Sequence, residues 1–115
     1  MLGMRGSTIK GHLDMLVLAV LAAGPLHGYA VIEELRARSG DSFDLPEGTI
    51  YPVLHRLERE GLLASVWSEA VGRPRRTYTV TRAGRKALAE QRRAWQAFSD
   101  AVGRVLGGAP WPATI

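Results

Sequence analysis

The sequence predicts a mainly α domain with one small β-hairpin, an α+β chain. Four segments place apolar residues at helical spacing, and two short β-branched and aromatic segments flank a Gly-Arg-Pro turn. The length of 115 residues fits one domain, and 46% hydrophobic with 23% charged residues is ordinary globular composition.

The first helix is predicted over residues 10–23. Leu13, Leu16, Val17, Val20 and Leu21 follow the i, i+3, i+4, i+7 pattern. Met15, Leu18 and Ala19 make the other side apolar too, so the helix must be covered on more than one side, in part by a second chain. Gly24-Pro25 stops it. The second helix runs over 28–39 on Val31, Ile32 and Leu35, with Gly40 as its stop.

A third helix is expected over 47–60, closed by Gly61. Pro52 is compatible with it if the helix begins near Thr49, because first-turn amides have no intrahelical partner. Ile50, Val53, Leu54 and Leu57 share one face; Tyr51, Pro52, His55 and Arg59 lie opposite, flanked by Thr49 and Arg56. Residues 62–68 read as a strand with Leu62, Ala64 and Val66 on one side, and 76–81 as its hairpin partner. Thr81 is a suitable N-cap for a last helix over 82–106. Leu88, Trp95 and Val102 repeat every seven residues along it, with Phe98 between them. At about 1.5 Å per residue it spans roughly 37 Å, so it overhangs a domain this small and its stripe calls for a partner.

Three helices, a hairpin and a fourth helix follow the order of a winged helix-turn-helix carrying a long C-terminal dimerisation helix. That divides the chain into an N-terminal arm (1–9), a winged helix-turn-helix DNA-binding domain (10–81), the dimerisation helix (82–106) and a flexible tail (107–115). In such a fold the third helix offers its exposed face to the major groove.

The charge is arranged to match. The net charge is +4, and 13 of the 15 cations are arginine. Residues 73–93 hold eight cations and one acid, Glu90, whereas the remainder holds seven cations and ten acids. Arg73, Arg75 and Arg76 at the hairpin tip suit phosphates.

Four blocks resemble the PadR-type transcriptional regulators: residues 10–29 (KGHLDMLVLAVLAAGPLHGY), 47–63 (EGTIYPVLHRLEREGLL), 72–78 (GRPRRTY) and 81–84 (TRAG). The single C-terminal helix resembles the compact subfamily. The resemblance implies a homodimeric DNA-binding regulator, most often a repressor, with Thr49, Tyr51 and Pro52 at the DNA-facing start of the recognition helix. It also implies backbone contacts from Tyr29 and the wing arginines. Trp95 matches a tryptophan that stacks on planar effectors in drug-sensing members.

The expectation is therefore a homodimeric repressor of a near-palindromic double-stranded DNA operator, released by a small aromatic or amphipathic effector at Trp95. The DNA-binding set is Tyr29, Thr49, Tyr51, Pro52, Arg56, Arg73, Arg75 and Arg76. The dimer set is Leu13, Leu16, Leu88, Trp95, Phe98 and Val102. Several alternatives stay open at this point. Tyr29 and Tyr51 also suit packing, Arg56 and Arg59 also suit pairing with Glu60 or Glu58, Trp95 also suits dimer packing without a ligand, and Trp67 suits core or rim packing.

A protein-interaction module on the same scaffold is the competing function. No catalytic motif argues for an enzyme. His12, His27 and His55 lack metal-ligand spacing, and the absence of cysteine removes disulfides and thiolate sites, so no metal or cofactor is expected. The longest apolar run, Met15 to Ala23, is too short to span a membrane and no signal peptide is evident, so a cytoplasmic protein is expected.

Overall fold

The structure is a computed structural model and describes residues 10–69, 72 and 74–107, with backbone only for Lys10. A 3-10 turn at Lys10–His12 leads into α1 (Leu13–Ala22). β1 (Leu26–His27), α2 (Gly28–Arg38) and α3 (Glu47–Arg59) follow, then β2 (Leu63–Ser68), β3 (Arg75–Val80) and α4 (Arg82–Val105).

α1 is the centre of the core, and its all-round apolar sequence is the cause. Leu13, Val17, Leu18, Val20 and Leu21 are all buried, meeting Val31, Ile32 and Leu35 of α2 and Ile50, Leu54 and Leu57 of α3. One chain thus supplies most of the cover that helix needs.

The sheet has three strands in the order β1-β3-β2, not the two of a simple hairpin. Leu26 pairs with Tyr78 and His27 with Thr77, which places the start of α2 beside the wing. Two residues are too few to show strand periodicity in a sequence. In β2 the inward side is also the reverse of the one expected. Leu63 is buried while Ala64 and Val66 are exposed, because Tyr78 and Val80 of β3 pair with Ser65 and Leu63 on the inner face.

Local chemistry fixes the helix ends. The Ala30 N–H donates to His27 Nδ1 at 3.3 Å, capping α2. α3 begins at Glu47 rather than Thr49, so Pro52 lies inside the helix; it forgoes the bond to the Gly48 carbonyl, where both residues are exposed. Gly61, at φ 79°, ends α3: its N–H reaches the Glu58 carbonyl at 3.0 Å and the Leu62 N–H reaches Leu57 at 2.9 Å. Thr81 accepts from the Gly84 N–H at 3.0 Å and donates to the Gly61 carbonyl at 2.7 Å, tying the start of α4 to the end of α3.

Candidate nucleic-acid interface

The three-stranded sheet brings α2, α3 and the wing to one side of the domain. A groove of about 310 Å³ runs between them, lined by His27, Tyr29, Tyr51, Pro74, Arg75 and Arg76 among others. Tyr29 stands in the first turn of α2 and is 51% exposed. Free amides at such a helix start favour an anion. Arg75 is exposed, and among the described residues no acid lies within ion-pair reach of it. Arg73 lies outside the described residues.

Arg76 is employed differently. Its guanidinium carbon lies 4.9 Å from the centroid of the Trp67 ring, its cross-strand neighbour, and Nη1 is 3.8 Å from Glu58 Oε1. Glu58 also accepts from Ser65 Oγ at 2.7 Å. Arg76 therefore joins the wing to α3, and among the described residues its buried Nε meets no acceptor. Trp67 is 64% exposed rather than packed in the core. A second cleft of about 400 Å³, lined by His55, Glu58, Arg59 and Arg76, continues the basic strip along α3.

Pro52, His55 and Arg59 line the exposed side of α3, and Thr49 flanks it half-buried. Tyr51 is also half-buried. Its ring lies against Gly28, where an added Cβ would meet Tyr51 Cε1 at 2.5 Å. Burial, then the nearby Glu47 charge, raises its phenol above the ordinary value. Tyr51 thus sets the spacing of α2 and α3 at the head of the groove. A glycine chosen for a neighbouring ring leaves no mark in a single sequence.

Arg56 turns toward α1 and remains 39% exposed. Nη2 bonds Asp14 Oδ1 of α1, Nη1 reaches Asp14 Oδ2 at 3.1 Å, and Nη1 also meets Glu60 at 3.3 Å. The Asp14 hydrogen bond, ahead of the other contributions, raises its pKa further. Both of its terminal nitrogens meet carboxylates, so Arg56 links α3 to α1, and it does not line the groove. Asp14 is 42 residues away, beyond any local spacing rule.

The last helix carries a run of exposed apolar residues. Trp95 (42% exposed), Phe98 (59%), Val102 and Val105 lie on it, and Leu106 follows. Leu13 and Leu88, expected at a subunit interface, are buried in the chain's own core instead, and Leu16 is partly buried against it. The apolar repeat identifies a buried stripe but not which part of it α1 already covers.

Beside the stripe a cavity of about 340 Å³ is lined by Asp14, Gln91, Trp95 and Phe98 among others. The His12 ring meets Trp95 edge-on at 5.1 Å. Among the described residues no cluster of metal-ligating side chains occurs, and no helix is long and apolar enough to cross a membrane.

Comparison with known proteins agrees with this architecture. Residues 17–90 match the profile described as the transcriptional regulator PadR-like family. The transcriptional regulator Rv3488 of Mycobacterium tuberculosis is 42% identical over 92 residues, 80% of each chain. A crystal structure of a PadR family transcriptional regulator from Eggerthella lenta superposes with a TM-score of 0.78 at 37% identity, covering 88% of this chain and 87% of that one. Bacillus subtilis PadR in complex with operator DNA superposes with a TM-score of 0.63 at 25% identity, covering 70% of this chain and 46% of that one.

Proposed function

The chain belongs to the PadR-like family, a family of transcriptional regulators rather than enzymes, and from that premise we propose that it is a homodimeric, cytoplasmic DNA-binding repressor released by a small aromatic or amphipathic effector. The observation that carries the DNA reading is the groove in which the α2 start, the head of α3 and the exposed cation Arg75 converge. A DNA phosphate there would meet free amides, the Tyr29 hydroxyl and a guanidinium fork together.

In this reading the exposed face of α3, with Thr49, Pro52, His55 and Arg59, enters the major groove. Tyr51 positions that helix from behind. Arg75, with Arg73, holds the backbone, and Arg76 keeps the wing in register. The α4 stripe pairs two chains, so two recognition helices stand about 34 Å apart on a near-palindromic site. An effector stacked on Trp95, next to that pairing surface, would release DNA only by favouring one dimer geometry over the other.

Selection of bound fragments from a random double-stranded pool tests the reading. The expected product is a near-palindrome with half-sites one turn apart. Recovery of unrelated sequences at moderate salt would instead favour a protein-interaction module.

A further inference from the structure

Five cations of the last helix take no part in the groove. Arg82, Arg85, Lys86, Arg92 and Arg93 are all exposed on α4. Among the described residues no acid lies within ion-pair reach of any of them. At about 100° per residue they fall within an arc of about 120°. The stripe of Leu88, Trp95, Phe98 and Val102 occupies the other side of the helix. Glu90 falls outside the arc. The next acid on it, Asp100, comes two turns later and accepts from Gln96 Nε2 at 2.9 Å. Resting on the regulator reading above, we propose that this strip binds the phosphate backbone of a second DNA duplex, so that an operator-bound dimer bridges two duplexes.

The chemistry of the arc selects a double-stranded polyanion. Four of the five cations are arginine, whose planar fork suits phosphate oxygens. Arg82 to Arg93 spans about 17 Å, over which one strand of a duplex presents about five phosphates. Ala89 lies between the two cationic turns, so a rod-like backbone can come close. A single strand calls for rings on which bases stack, and a membrane surface calls for apolar side chains that enter it. No aromatic or large apolar side chain shares the arc with these cations.

Position sets this duplex apart from the one in the groove. Thr81, which caps α4, is bonded to Gly61 at the tail of α3, whereas the groove lies at the α3 head. Along the 13 residues of α3 those ends are about 20 Å apart. β3 separates them too, with Arg75 at the groove and Val80 beside the start of α4. One straight duplex does not reach both. With the apolar stripe turned to the partner chain, each dimer carries two such strips on its outer sides.

The test is a capture assay with the full chain. A fragment from the DNA selection is immobilised, and a labelled duplex of unrelated sequence is added with the protein. The wild type is expected to retain the labelled duplex, less so as salt rises. In the variant Arg85→Gln, Lys86→Gln, Arg92→Gln, Arg93→Gln, retention should fall at least about tenfold. Its salt slope should be shallower by about 3–4, because each lost phosphate contact removes about 0.9. Operator affinity in that variant should stay within about twofold of the wild type. No α4 residue lines the groove, and charges beyond a screening length of about 8 Å count little.

No retention by the operator-bound wild type overturns the bridge, and so does undiminished retention in the variant. An operator affinity that falls as far as retention assigns the strip to the operator's own duplex and overturns it equally. Wild-type binding to phosphatidylserine vesicles through the same four cations, with no second duplex captured, gives the strip to a membrane instead. All of these results leave the regulator reading standing. If the wild type binds no fragment of the pool, the DNA reading itself fails and the bridge falls with it.

Discussion

A Cβ added to Gly28 would sit 2.5 Å from Cε1 of Tyr51, so the first turn of α2 lies directly against the aromatic ring of the recognition helix. The contact joins the two helices whose relative position defines the DNA-facing groove. A side chain at 28 and a ring at 51 cannot both keep their places.

Gly28→Ala is therefore expected to cost about 1–3 kcal/mol by overpacking and to weaken specific DNA binding more than non-specific binding. Tyr51→Leu in the same chain should recover much of the stability. Thermal unfolding and competition with unrelated DNA measure the two effects. If Gly28→Ala behaves like the wild type in both, Tyr51 has no positioning role.

Gly84→Ala should be worse. There the added Cβ would meet the Leu62 carbonyl oxygen, a backbone atom, at 2.1 Å, and Val80 Cγ1 at 2.7 Å. A ring can swing aside; the Leu62 carbonyl, held in the helix-to-strand junction and accepting from the Thr81 N–H at 3.1 Å, cannot. A loss above about 3 kcal/mol is expected, read as a lowered denaturant midpoint. A loss smaller than that of Gly28→Ala would contradict this reasoning.

The wing arginines should separate by role. Arg75→Ala should lower the slope of log affinity against log salt by about 1, as for one phosphate contact, and leave the melting temperature unchanged. Arg76→Ala should lower the melting temperature and alter Trp67 emission, because it removes the guanidinium from that ring and from Glu58. The reverse assignment of these effects would exchange the two roles.

Phe98→Glu and Val102→Glu should yield folded monomers in sedimentation experiments. Both side chains are exposed in the single chain, so a charge there opposes pairing without entering the core. An unchanged oligomer would place the subunit contact elsewhere.

Alkali should unfold the protein through its buried phenols. Burial raises Tyr78 above the ordinary value of 10.0, against the lowering effect of Arg76, and Tyr51 is raised as well. The fold holds these protons more tightly than the unfolded chain does, so their contribution is complete below pH 10 and is lost as pH climbs above it. Tyr78→Phe should flatten that decline in a series of unfolding curves. An equally steep decline would assign it to other groups.

The sequence by itself determined the order of the four helices and the hairpin, the N-cap at Thr81, the basic wing and the apolar stripe of the last helix. Each is a local pattern: a period, a cap or a cluster of like charges, legible because neighbours in sequence are neighbours in space. Tertiary structure alone decided how the site residues are employed. It removed Leu13 and Leu88 from the outer surface, turned Arg56 to Asp14, and bound Arg76 to Trp67 and Glu58 while leaving Arg75 exposed. It also added β1, too short to show a period, beside the wing. These outcomes depend on which side chains meet after the helices pack. Ion pairs across 42 residues and a glycine fitted to a distant ring follow from that packing and from no spacing along the chain.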